Sequence, residues 1–230
     1  MSEQRVGELV DTTPAKRPQR EPLVGRYVDV LPLDARLHGD DLYVAATGPN
    51  TETLWTYLSS GPWSDRASFD PWLVDQQASS DRIAHALIDK ASGKALGMAN
   101  YQRMDRENKT IEIGGIWYAP ALQRTRAATE AMYLLARNTF ETLGYRRYEW
   151  KCNTFNEPSR RAALRLGFTY EGLFRQHMIS RGRSRDTAWF SLLDHEWPLR
   201  KRAFERWLDP ENFDANGQQR ASLSSIAART

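Results

Sequence analysis

Apolar and polar positions alternate along residues 26–33, Arg-Tyr-Val-Asp-Val-Leu-Pro-Leu, the period-two pattern of a half-buried strand. Asp34 then offers a helix N-cap, and the following residues read as helix to about residue 46. Leu54, Trp55 and Leu58 fit one short helix, and Phe69, Trp72, Leu73 and Gln76 another, with Gly61-Pro62 between them. Residues 82–89 and 95–104 read as two strands joined by a hairpin turn over 90–94. A further strand runs over 111–118 and must stop at Pro120, which cannot donate to a ladder. After a polar loop, apolar residues recur at Ala128, Ala131, Met132, Leu135, Ala136, Phe140 and Leu143. That is helical spacing, with Gly144 as the stop.

The pattern continues with a strand over 146–152 and a helix capped by Asn156, with Pro158 in its first turn. Strands over 169–180 and 185–193 flank the turn 181–184, and a last helix covers 196–208. Together these predict one α/β domain over residues 22–208. Residues 1–21 read as a flexible lead-in and 209–230 as a polar, disordered tail, since neither has periodicity.

The stretch 111–143 is therefore strand, basic loop, helix. A helix start presents free N–H groups and partial positive charge, suited to phosphate or pyrophosphate. Many α/β connections share this outline, and residue types sharpen it. The run Trp117-Tyr118-x-Pro-x-x-Gln123-Arg124-Thr125-Arg126-Ala127-Ala128 resembles the acetyl-CoA loop of the GNAT superfamily of N-acetyltransferases, Q/R-x-x-G-x-G/A. Asn156-Glu157-Pro158-Ser159, closed by Leu166-Gly167-Phe168, resembles that superfamily's N-x-x-S/A helix. The branch most resembled is that of the ribosomal-protein N-terminal acetyltransferases.

The resemblance implies a mixed, mostly antiparallel twisted sheet, splayed at the centre and flanked by helices. It implies acetyl-CoA as co-substrate, bound by backbone around Ile116, Trp117 and Tyr118, by Gln123 to Ala128, and by Asn156 and Ser159. Ser159 would stand near the sulfur as proton donor. Glu112 resembles the acidic residue that many members carry on this strand and is the candidate base, although alternation fits a solvent-facing residue equally. Gly114-Gly115 inside the strand predicts a bulge. Two departures stand out. Arg126 occupies a position where the superfamily favours Gly, so it must take an unusual backbone shape or supply a phosphate contact. Ala163 occupies the position of the tyrosine acid found in many members.

Composition narrows the rest. The 230 residues carry 27% charged and 40% hydrophobic side chains and a net charge of +3, ordinary for a globular domain and suited to an anionic ligand. The single cysteine, Cys152, excludes an intrachain disulfide and reads as a packed small hydrophobe. His38, His85, His177 and His195 lack metal-ligand spacing, so no metal is expected. No stretch approaches the ~20 apolar residues of a membrane span, and the start lacks a signal-peptide core, so cytoplasm is the expected location. Arg200, Lys201, Arg202 and Arg206 read as a solvated helix face rather than a nucleic-acid contact. The aromatics Trp55, Tyr57, Trp63, Phe69 and Trp72 read mainly as core, with one or two open to an acceptor pocket. The acceptor is an amine, either a protein N-terminus or a small molecule. A non-catalytic acyl-CoA sensor is the alternative, and a homodimer is left open.

Overall fold

A computed structural model describes residues 6–229. Its strands are β1 (Leu23–Val24), β2 (Val28–Pro32), β3 (Arg82–Asp89), β4 (Lys94–Asp105), β5 (Thr110–Tyr118), β6 (Arg147–Asn153), β7 (Thr169–Ser180) and β8 (Arg183–Leu193). They form one eight-stranded sheet in the order β1-β2-β3-β4-β5-β6-β8-β7. Neighbours pair antiparallel throughout except β5 and β6, which run parallel. That pair matches only Thr110–Ile113 to Arg147–Trp150, and from Gly114 onward β5 keeps β4 alone as a partner.

The cause of the parting is local. Asn100 faces Gly114 but Met98 faces Trp117, so β5 carries an extra residue at the bulge. Gly115 there has φ +59, and an added Cβ would run into the Asn100 amide. Only glycine meets both demands.

The helices are α1 (Ala35–Thr47), α2 (Arg66–Ala78), α3 (Arg126–Arg137), α4 (Glu157–Arg165), α5 (Trp197–Leu208) and α6 (Leu223–Ala227). One face of the sheet buries Ile111, Ile113, Tyr148 and Trp150 with Met132 and Leu135 of α3 and Phe204 of α5. The other face carries Ala84, Ala86, Met98 and Trp117 beneath Leu42 of α1 and Phe69 and Leu73 of α2. Each such aliphatic or aromatic side chain contributes roughly 1.5–3 kcal/mol on burial.

Ten of the twelve α3 residues are buried, so this helix is a core element rather than an amphipathic cover. Its Glu130 is buried too, and its carboxylate accepts the backbone N–H groups of Arg26 (2.9 Å), Tyr27 (2.5 Å) and Val28 (3.0 Å). A buried charge needs such donors, and here they lock the β1–β2 turn onto α3.

Three boundaries differ from the sequence reading. The turn between β7 and β8 is only Arg181-Gly182, with φ +51 and +69, the two-residue geometry that follows strand twist. In the expected lead-in, residues 1–5 lie outside the described residues, while Ala15 is buried and its N–H donates to Arg106 O at 3.0 Å. The expected loose tail is anchored. Leu223 and Ile226 are buried against the core, and Trp207 Nε1 donates to Gln219 Oε1 at 2.8 Å. Two apolar side chains at helical spacing sufficed to dock a segment whose overall polarity concealed them.

Candidate active site

The gap where β5 leaves β6 is the centre of the site. Ala119 N–H donates to Leu96 O at 2.8 Å, so Ala119 and, two residues earlier, Trp117 point their backbone groups at β4. The N–H groups of Ile116 and Tyr118 therefore face the gap. Of the stretch around Ile116 and Trp117 expected to supply backbone donors, the N–H of Trp117 points at β4 instead. The Trp117 side chain is buried on the α1–α2 side, its ring 5.2 Å from that of Trp55.

At the end of β5 the chain turns through Gln123, whose Nε2 donates to Tyr118 O at 3.1 Å, and Arg124, which takes φ +60. Thr125 caps α3, its Oγ1 accepting from Ala128 N–H at 3.1 Å and donating to Leu122 O at 2.7 Å. Among the described residues no group accepts from the N–H of Arg126 or Ala127. These free donors at a helix start fit a pyrophosphate. Ala127 and Ala128 are buried, so small side chains are required where the helix enters the core.

Arg126 follows neither expected course. The left-handed residue is Arg124, and the Arg126 guanidinium lies over the rings of Tyr27 (4.8 Å) and Phe213 (4.6 Å). It is stacked away between two aromatics, one of them from the docked tail. Arg165, by contrast, donates to the Thr129 hydroxyl at 3.2 Å, and no carboxylate pairs with it among the described residues. Its burial depresses the guanidinium's hold on its proton, with Tyr118 opposing. A half-buried cation beside the start of α3 again fits an anionic ligand.

On the far side of the gap, Asn156 caps α4 by accepting from Ser159 N–H at 3.2 Å. Its oxygen is thus engaged in the helix, as plain capping requires. Ser159 Oγ accepts from the Trp150 indole N–H at 3.0 Å, and its hydroxyl hydrogen is directed to the neighbouring Cys152 sulfur. Burial pushes the neighbouring Cys152 thiol up, with the Ser159 hydrogen bond opposing, so Cys152 stays a thiol.

Glu112 is 4% exposed and faces the α1–α2 side, between Gln102 and Glu149 in register. Gln102 Nε2 donates to its Oε1 at 2.7 Å, and its Oε2 meets Lys151 Nζ and, at 3.3 Å, Arg103 Nε. The Lys151 side chain is itself 6% exposed and lies 4.0 Å from the Trp189 ring centroid. Both expected readings of Glu112 are thereby revised. It is not solvent-facing, and its Oε2, which takes no hydrogen bond, lies in ion pairs with Lys151 and Arg103, so a substrate proton would compete with two cations there.

The charged row continues sideways. Arg147 Nε donates to Glu149 Oε1 at 2.8 Å and its Nη1 to Glu171 Oε1 at 2.8 Å. The Arg147 guanidinium holds the Glu171 carboxyl below the ordinary range. Above this row Arg181, at the tip of the β7–β8 hairpin, donates to the carbonyls of Ser60 (2.5 Å) and Gly61 (2.6 Å). The hairpin and the segment before α2 so close over the same face. Alternation along β6 put Lys151 on a polar face, but nothing in the sequence revealed that the face is roofed, because the roof joins residues 120 positions apart.

A family profile described as the acetyltransferase (GNAT) domain matches residues 33–169, more than half the chain. The chain belongs to the GNAT superfamily of N-acetyltransferases. It is 50% identical to a GCN5-related N-acetyltransferase from Brucella melitensis, whose crystal structure superposes with a TM-score of 0.93. That match covers 94% of this chain and 98% of the other. It is 30% identical to the "Putative ribosomal N-acetyltransferase YdaF" of Bacillus subtilis (strain 168), over 62% of this chain and 78% of that protein. It is 32% identical to the ribosomal-protein-serine acetyltransferase of Escherichia coli (strain K12), over 35% of this chain and 45% of that one. This GNAT enzyme has, among its described residues, no helix long and apolar enough to cross a membrane and no His, Cys, Asp and Glu group arranged for a metal ion.

Proposed function

We propose that the protein transfers the acetyl group of acetyl-CoA to the α-amine of a protein N-terminus by direct attack within a ternary complex. One observation carries the reading: free N–H donors of β5 and α3 lie at one gap in the sheet, with the Ser159 hydroxyl on one side of it and the buried Glu112–Lys151 row on the other. In this reading the N–H groups of Arg126 and Ala127 hold the pyrophosphate, with Arg165 adding charge. The N–H groups of Ile116 and Tyr118 lie along the thioester and stabilise the oxyanion as it develops; one such donor is worth about 10²–10³ in rate. Ser159 gives its proton to the departing thiolate, and the Trp150 indole keeps its oxygen in place. Asn156 serves by capping α4, which sets the position of Ser159.

One feature favours a protein N-terminus over a small amine. The relatives named above carry ribosomal and ribosomal-protein-serine acetyltransferase names. The test is CoA release and product mass with acetyl-CoA and a serine-initiated hexapeptide, against spermidine and tyramine. Acetylation of the peptide at its α-amine is expected. Preference for either small amine would overturn the acceptor assignment. Tight acetyl-CoA binding with no transfer to any of the three would favour the non-catalytic sensor.

A further inference from the structure

Glu112 holds its Oε1 on Gln102 and its Oε2 against two cations, which disfavours it as the acceptor of the amine's proton and favours other groups on the same face. We propose that His177 is that acceptor, a catalytic residue whose Nε2 receives a proton from the amine as it attacks the thioester. This rests on the acetyl-transfer reading above.

The position follows from register. His177 Nδ1 lies 3.0 Å from the hydroxyl of Thr187, which is wholly buried. Thr187 pairs with Asn153, the last residue of β6, beyond the point where β5 has parted from it. His177 therefore stands over β8 on the face that carries Lys151 and Trp189, across β6 from the open part of the gap. Its ring is fixed edge-on to Phe174 (5.5 Å) and tilted against Trp189 (5.8 Å), whose other contact is Lys151.

In the tautomer whose Nδ1–H donates to Thr187 Oγ1, the lone pair sits on Nε2, and no group of the described residues bonds to Nε2. That tautomer and the open nitrogen are what a general base needs. Burial lowers the imidazole below its ordinary value, and Lys151 of β6, Arg103 of β4 and Arg185 of β8 lower it further, with Glu112 of β5 opposing. The side chain is thus neutral at pH 7. The row around Glu112 supplies this charge balance, which gives Lys151 and Glu112 a positioning role.

The step balances. A neutral amine, hydrogen-bonded to Nε2, attacks the carbonyl carbon, forming C–N and breaking C–S. One amine proton passes to Nε2, and the thiolate takes the Ser159 proton. His177 then loses its proton and Ser159 regains one through water, leaving amide and thiol.

The experiment compares wild type with H177Q and T187V, using acetyl-CoA and the serine-initiated hexapeptide from pH 5 to 9. Melting temperature and acetyl-CoA dissociation constant report folding and cofactor binding separately. H177Q should lose about 10²–10⁴-fold in kcat with acetyl-CoA affinity kept. Below the lowered imidazole pKa, log(kcat/KM) should fall about one unit per pH unit more steeply in wild type than in H177Q, because only wild type protonates an imidazole there. T187V keeps the imidazole but not its orienting hydroxyl. It should lose about tenfold and keep the steep limb. NMR titration of His177 should give a value below the ordinary 6.5. H177Q within about threefold of wild type, or a slower H177Q with an unchanged acid limb, would overturn the proposal. Should wild type ignore the peptide, the acceptor reading fails and the same comparison on tyramine decides His177. Wild type that binds acetyl-CoA yet acetylates neither amine overturns both.

Discussion

The two faces of the central sheet use adjacent residues of the same strands for opposite ends. On β5 and β6, Ile111, Ile113, Tyr148 and Trp150 face α3 and α5 and are apolar and buried. Between them in sequence, Glu112, Glu149 and Lys151 face the other way, and Glu112 and Lys151 are just as hidden. Burial on the first face is a stability term, since dispersion and apolar area both favour it. Burial on the second face costs desolvation, which a buried ion pair often repays only in part. A sheet that buries charge where apolar residues would fold as well is spending stability on chemistry, and the second face is the one that carries His177, whereas Ser159 bonds Trp150 of the first.

Substitution can break this contrast. Lys151→Met should cost about 3–5 kcal/mol in urea denaturation, because it leaves the Glu112 carboxylate buried against Gln102 and Arg103 alone. The pair Glu112→Leu with Lys151→Met should recover most of that loss, as apolar replacement of a buried pair commonly does. If the double variant is no more stable than Lys151→Met, the ion pair was not the source of the cost. On the opposite face Ile111→Ala should cost about 2–5 kcal/mol through the cavity it leaves, with kcat unchanged. A fall in kcat comparable to that of H177Q would mean that the two faces are not separable.

Ser159→Ala sharpens the contrast at the gap itself. Loss of the proton donor should lower kcat by about 100-fold, or about 2.7 kcal/mol of barrier, with acetyl-CoA affinity kept. The indole N–H of Trp150 loses its acceptor as well, so a stability loss of about 1 kcal/mol should accompany it. Stopped-flow measurement of CoA release on the peptide checks the first, and denaturation the second. Unaltered kcat would leave water as the proton donor.

Much of this was legible in the chain. Period-two and 3.6-residue patterns located the long elements, and Gly114-Gly115 announced the bulge that opens the sheet. Asp34 and Asn156 cap helices because their side-chain oxygens suit that place, and Thr125, read as loop, caps α3 for the same reason. What escaped is what depends on distant chain. Alternation says that Glu112 and Lys151 share a face, but not that α1, α2 and the β7–β8 hairpin enclose it. Nor does any local signal join Thr187 to His177, ten residues apart across a hairpin with an irregular register. The tail misled because average polarity hid Leu223 and Ile226.

Arg126 gives the smallest and most discriminating effect, because the family pattern and the structure disagree about it. If the side chain served the phosphate, its removal would weaken acetyl-CoA by tenfold or more. In the structure it begins α3 without a left-handed φ and spreads its guanidinium over Tyr27 and Phe213. Arg126→Gly removes two cation–π contacts, each worth about 0.5–1 kcal/mol at a partly exposed site. Glycine adds about 0.5–1 kcal/mol of backbone entropy cost, less in a first turn than in a helix interior. Denaturation should therefore register a loss of about 1–3 kcal/mol. Calorimetry should find acetyl-CoA affinity within about threefold, because the donors are backbone N–H groups that glycine retains. Arg126→Ala separates the two contributions, since it drops the stacking and spares the entropy. A tenfold weaker complex in both variants would return Arg126 to the phosphate and make its stacking a feature of the unliganded protein alone.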